Sequence, residues 1–96
     1  MVIKSEETIL DVVDKDNGVL IITETQEVRL SWPAAFILHE LGYEPMRRKD
    51  LYQVLNFSEG QIDYALEILV KNRLVRKTKD KKYTLTTAGV NVWHKL

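Results

Sequence analysis

MRRKDLYQVLNFSEGQIDYALEILVKNRLVRKTKDKKYTLTTAG, residues 46–89, spells a helix, a tight turn, a second helix and a basic hairpin, in that order. In its first part Leu51, Val54 and Leu55 recur at helical spacing. Asn56, a residue that tolerates the left-handed conformation, stands where that helix should stop. Ser58 then reads as the N-cap of the next helix. Its hydroxyl can accept from an orphan amide, while Gln61, three residues on, completes a capping box. Phe57 and Ile62 occupy the positions of a hydrophobic staple, which sets the angle at which the chain enters the second helix.

Within that helix Ile62, Ala65, Leu66 and Leu69 form one apolar stripe directed at a core. Gly60, Tyr64, Glu67 and Lys71 are left on the opposite face, flanked by Gln61 and Asp63. If the partner is a nucleic acid, Ser58, Gly60, Gln61, Tyr64 and Lys71 are the candidates for contact with DNA. The Gln61 amide suits an adenine edge and Tyr64 can meet a phosphate or a thymine methyl, whereas Asp63 and Glu67 repel phosphates. A solvated helix face has the same composition, so its polarity alone does not identify a partner.

After the helix, LVRKT and KYTL are strand-like runs separated by Lys79, Asp80 and Lys81, which fits a hairpin with a polar tip. Arg76, Lys77, Lys79, Lys81 and Lys82 lie in or beside it, and Arg47, Arg48 and Lys49 open the first helix. These long cations can neutralise backbone phosphates without reading bases. Lysines also blunt strand edges in proteins that never touch nucleic acid, so the cluster has a second explanation.

On these residues the segment resembles the winged helix-turn-helix transcriptional regulators of bacteria and archaea, the broad group that includes the MarR, PadR and ArsR-like families. The shared pattern is carried by Ser58, Leu66 and Leu69 in the capped helix, Leu74 and Val75 opening the wing, and Tyr83, Leu85, Thr86 and Gly89 closing it. The resemblance covers somewhat under half of the chain. It implies that the helix beginning at Ser58 enters the major groove and that the wing lies on the flanking backbone. Two positions depart from the pattern. The residue before the Leu-Val pair is usually glycine but here is Arg73, so the left-handed role is expected to fall to Asn72. Tyr52 replaces a small residue, and is expected either to change how the two helices approach or to tilt outward with its hydroxyl in water.

Ninety-six residues suit one small domain with one core, expected over 1–96 as an N-terminal extension with strands (1–32) and a winged-helix core (33–96). There is no cysteine, which removes disulfides, thiolate metal sites and cysteine nucleophiles. MVIKSEETIL has no signal-peptide core and no run approaches a membrane span, so a soluble, cytoplasmic chain without a membrane partner is expected. The net charge of zero hides an asymmetry: residues 1–45 hold three basic against nine acidic residues, a balance of −6, and residues 46–84 hold ten against five, a balance of +5. The basic half coincides with the motif, and the acidic half would face away from bound phosphates.

Before the motif, Val19–Thr23 and Val28–Trp32 read as an antiparallel strand pair joined across Glu24–Glu27. Residues 5–15 fit either a helix capped by Ser5 or the first arm of a hairpin turning at Asn17-Gly18, and the two stay open. Pro33 suits the first turn of a helix through Leu41 that ends at Gly42. The added strands suit a dimerisation edge, a partner surface or a cap over the core. At the other end Val90, Trp93 and Leu96 recur at a spacing of three in a short helix. Trp93 and Leu96 are interface candidates, with core packing the alternative for Trp93.

No catalytic constellation is present. His39 and His94 lack a carboxylate or second histidine at metal-ligand spacing, the glycines are isolated and no serine sits in a nucleophile elbow. The expectation is an α+β winged helix-turn-helix with an additional N-terminal antiparallel strand pair, not an enzyme, without cofactor or metal. It would bind double-stranded DNA as a homodimer and regulate transcription by operator occupancy. The alternative is a winged-helix adaptor that binds protein in a larger assembly.

Overall fold

The computed structural model describes Ile3 and residues 7–96. Three strands open the chain, β1 (Ile9–Lys15), β2 (Gly18–Thr23) and β3 (Glu27–Ser31), followed by α1 (Trp32–Leu41). Then come β4 (Met46–Arg47), α2 (Arg48–Val54), α3 (Glu59–Lys71), β5 (Val75–Lys77), β6 (Lys82–Leu85) and α4 (Thr87–Trp93). β1, β2 and β3 form one antiparallel meander; β4, β6 and β5 form a second sheet in that order.

The open question over residues 5–15 resolves to a strand from Ile9 onward, paired along β2 with Lys15 opposite Gly18. The helical alternative rested on Ser5, which lies outside the described residues. β2 and β3 pair antiparallel as expected, with Ile21 opposite Val28 and Val19 opposite Leu30. It ends one residue early, however, because Trp32 begins α1 and Ser31 is its N-cap. The Trp32 indole N–H donates to the Asp16 carbonyl at 3.1 Å, which ties the helix start to the β1–β2 turn.

The meander lies over the same core as the helices. Ile9, Val19, Ile21, Val28 and Leu30 are buried in one cluster with Ile37, Leu38, Leu51, Ile62, Leu66, Leu69 and Val92. Burying side chains of this size stabilises by about 1.5–3 kcal/mol each before entropy is counted. The strands therefore cap the core, with α1 packed on β2 and β3 and α4 packed on β1.

In the second half, the helix–turn–helix forms as the caps dictate. The Ser58 hydroxyl accepts from the Gln61 amide at 3.2 Å, and the Gln61 side chain accepts from the Ser58 amide at 3.0 Å. Ile62, Ala65, Leu66 and Leu69 are all buried. Phe57 packs its ring on Phe36 of α1, 5.8 Å between centroids.

Three local expectations are corrected. α2 ends at an extended Leu55 (φ −107°, ψ 141°), and Asn56 is not among the residues with positive φ. At the end of α3, Asn72 stays near the helical region at φ −85°, while Arg73 takes the left-handed conformation at φ 60°. The reason is in the bonding. The Arg73 amide reaches the Val70 carbonyl and the Leu74 amide reaches that of Leu69, both at 3.0 Å. This is a Schellman ending, which places the left-handed residue one position after the cap. Tyr52 does not leave its hydroxyl in water: the ring packs partly against the core and the hydroxyl donates to the Asp63 carboxylate.

The closing Thr-x-x-Gly sequence also has a physical reading. The Thr86 hydroxyl donates to the Arg73 carbonyl at 2.6 Å and accepts from the Gly89 amide at 3.1 Å, capping α4 against the end of α3. A Cβ on Gly89 would lie 2.0 Å from the Leu74 carbonyl oxygen, so only glycine allows this approach. α4 buries Ala88, Gly89 and Val92, whereas Val90 and Leu96 of the expected stripe are exposed.

Candidate nucleic-acid interface

The wing is a tight hairpin. The Thr78 amide donates to the Lys82 carbonyl at 2.7 Å and the Lys81 amide to the Thr78 carbonyl at 3.1 Å, which leaves Lys79, Asp80 and Lys81 as the loop. The Thr78 hydroxyl bonds the Asp80 carboxylate and accepts from the Lys82 amide. Lys81 adopts φ 65°, the position that usually carries glycine in a three-residue hairpin loop. Lys79 and Lys81 are exposed at the tip. The Asp80 carboxyl is held below the ordinary carboxylate value, chiefly by the Thr78 hydroxyl.

The start of α2, one side of α3 and the wing converge on one groove, lined by Arg48, Asp63, Leu66, Glu67, Val70, Lys77 and Tyr83, and none of Ser58, Gly60, Gln61, Tyr64 and Lys71 lines it. Arg48 is its hinge point. One guanidinium nitrogen lies 3.2 Å from the Asp63 carboxylate, and the other donates to the Tyr83 hydroxyl at 2.7 Å. The cation also sits 5.8 Å from the centre of the Tyr83 ring, and the Lys77 ammonium lies 5.6 Å from the same centre. The hydrogen bond to Tyr83 is the main cause holding the Arg48 guanidinium protonated above its ordinary range.

The remaining cations do not line this groove. Arg47 and Lys49 are exposed at the start of α2, whose Asp50 carboxylate accepts from the Arg47 amide at 3.1 Å. Arg76 turns instead to a second depression, which it lines with Arg73, Thr86 and Thr87. Lys82 is half-buried and approaches Asp80 at 4.0 Å. On α3, Gly60, Gln61, Tyr64 and Lys71 are all exposed, Tyr64 to 67%, and Ser58 is exposed at the N-cap. Asp63 and Glu67 face the groove, so the candidate base-contacting residues stand beside two carboxylates.

Trp93 is docked within the chain. Its indole N–H donates to the His39 carbonyl at 2.9 Å, and Tyr43 meets it edge-on at 5.5 Å. Leu96 is 44% exposed and borders a shallow apolar pocket with Trp32, Ala35 and Phe36. Sequence reasoning missed Arg73 as a surface cation of this region, Tyr83 as the support for Arg48, and the pairing of Asp63 with Arg48 and Tyr52. Only Arg73 left a local signal, its charge.

The description of a winged helix DNA-binding domain matches residues 30–89, from the end of β3 to the glycine of α4. The chain belongs to this family. The three-helix arrangement with its basic hairpin is thus the winged helix itself, extended at its N-terminus by the β1–β2–β3 meander. β5–β6 is its wing, and α2 and α3 are its helix–turn–helix. The match is to the domain and assigns the winged helix to none of the MarR, PadR or ArsR-like groups. No curated protein and no solved structure matches the chain. No helix among the described residues is long and apolar enough to cross a membrane.

Proposed function

We propose that the chain binds double-stranded DNA sequence-selectively, as a homodimer, and regulates transcription by occupying an operator. The observation that supports this most is the convergence of α2, α3 and the wing on one groove in a chain of a DNA-binding family. In this reading α3 enters the major groove, with Gly60, Gln61, Tyr64 and Lys71 toward the bases and Ser58 at the rim. Arg47, Arg48 and Lys49 hold the backbone, while Arg76, Lys77, Lys79, Lys81 and Lys82 clamp neighbouring phosphates. One helix of 13 residues spans about 20 Å, the length of a half-site contact, and a homodimer would read two half-sites. Leu96 and the open edge of Trp93 are the residues assigned to the contact between them.

The test is fluorescence anisotropy of labelled duplex DNA across a salt series. Affinity should fall linearly in log salt, by about 0.9 per phosphate contacted. A second reading, an adaptor that binds protein, is favoured by the apolar surface where Phe36 and Val54 are 48% and 53% exposed. Absence of binding at low salt, where even non-specific contacts register, selects the adaptor.

A further inference from the structure

We propose that Asp63 is an internal competitor of DNA phosphate for Arg48, so that the groove between recognition helix and wing exposes one fewer effective cation than its residues suggest. The inference rests on the DNA-binding reading above and names a residue that tunes it.

Four charged side chains line the groove, Arg48 and Lys77 against Asp63 and Glu67, which leaves it electrically balanced. Asp63 differs from Glu67 in being within ion-pair distance of a cation, 3.2 Å from Arg48. Both partners are little more than two-fifths exposed, so a phosphate arriving at the groove can reach the guanidinium. An ion pair this exposed is weak enough to be exchanged.

The surroundings suit an exchange. Arg48 is held by Tyr83 through a hydrogen bond and the ring face, neither of which involves Asp63, so the guanidinium stays in place when its counter-charge changes. Asp63 in turn keeps the hydrogen bond from the Tyr52 hydroxyl when Arg48 turns to phosphate. The freed carboxylate takes up a cation from solution, which offsets one of the cations that DNA releases. Asp63 should therefore weaken binding and flatten its salt dependence.

The experiment is the anisotropy salt series on four proteins: wild type, Asp63→Asn, Arg48→Ala and the double variant. Asparagine keeps an oxygen to accept from Tyr52, and a thermal melt of each variant checks the fold. Asp63→Asn should bind more tightly at low salt, by up to about fivefold, the equivalent of the upper range of an exposed ion pair. Its salt slope should steepen by up to about 0.9. In the Arg48→Ala background the same substitution should gain clearly less, because only the direct repulsion between Asp63 and phosphate is then removed. A wild type that fails to bind beside an Asp63→Asn variant that binds also supports the inference. If wild type binds and Asp63→Asn matches it, the inference is overturned while the DNA-binding reading stands. A gain equally large without Arg48 overturns it too, because it then reflects charge alone. If none of the four binds, the DNA-binding reading falls and takes the inference with it.

Discussion

Trp93 closes over Gly42 so tightly that a Cβ on the glycine would lie 1.9 Å from the indole nitrogen. The same nitrogen donates to the carbonyl of His39, one turn earlier in α1, so the contact fastens the last helix to the end of the first. Gly42→Ala cannot keep both the methyl and the ring in place. It should cost about 1–3 kcal/mol, the usual range for overpacking a filled site. Urea denaturation followed by tryptophan fluorescence, in a Trp32→Phe background that isolates Trp93, should show a lower midpoint and a red-shifted native spectrum. An unchanged spectrum would mean that the ring does not close over Gly42.

Arg73 and Lys81 both hold positive φ without being glycine, at 60° and 65°. A left-handed L-residue costs roughly 1–2 kcal/mol, and replacing it with glycine returns about half of that to unfolded-chain entropy. Arg73→Gly and Lys81→Gly should each raise stability by up to about 1 kcal/mol, measured by urea unfolding. Lys81→Gly should at the same time lower DNA affinity, since it removes a cation from the wing tip. Stability and binding moving in opposite directions would separate the strain from the charge. A loss of stability at either position would contradict the backbone geometry assigned here.

The features legible in the sequence are those that depend on a few neighbouring residues. Ser58 and Gln61 bond each other across three positions, and the Lys79–Lys81 loop is bounded by two short strands, so both are read locally. Arg73 shows where local reading fails. Propensity favours Asn72 for the left-handed role, but the carbonyls of Leu69 and Val70 place it one residue later. Residues 5–15 fit both states in the sequence, because β-branched residues suit either until β2 supplies a partner for Ile9–Lys15. The groove was illegible: Arg48 reaches Tyr83 across 35 positions and Tyr52 reaches Asp63 across 11, and no local pattern encodes either.

Tyr52 carries a pH dependence of definite sign. Its hydroxyl donates to the Asp63 carboxylate, and this bond is the chief reason that its pKa stands above the usual 10.0. The folded value is the higher one, so the contribution to stability is complete below the unfolded value and is lost as pH rises through the folded value. Lysines titrate in the same range, so the informative quantity is the difference between wild type and Tyr52→Phe. The urea midpoint of wild type should exceed that of the variant at pH 7–9, with the gap closing above about pH 10. A gap that is constant with pH would locate the effect in packing instead of the hydrogen bond.

Lys79 and Lys81 project from a loop closed by the Thr78–Lys82 and Thr78–Lys81 backbone bonds, so their charges can be reversed without disturbing the strands. Each is exposed. Lys79→Glu with Lys81→Glu should leave thermal stability nearly unchanged, as surface substitutions usually do. It should nevertheless abolish measurable DNA binding at moderate salt, since two attractive contacts with phosphate become repulsive. At the lowest salt, any residual binding should show a slope shallower by about 1.8, two contacts at about 0.9 each. The adaptor reading predicts a different result, with no DNA affinity in wild type to be lost. Binding that survives the double reversal with its slope intact would move the phosphate contacts away from the wing tip, to Arg47, Lys49 and the Arg73–Arg76 depression.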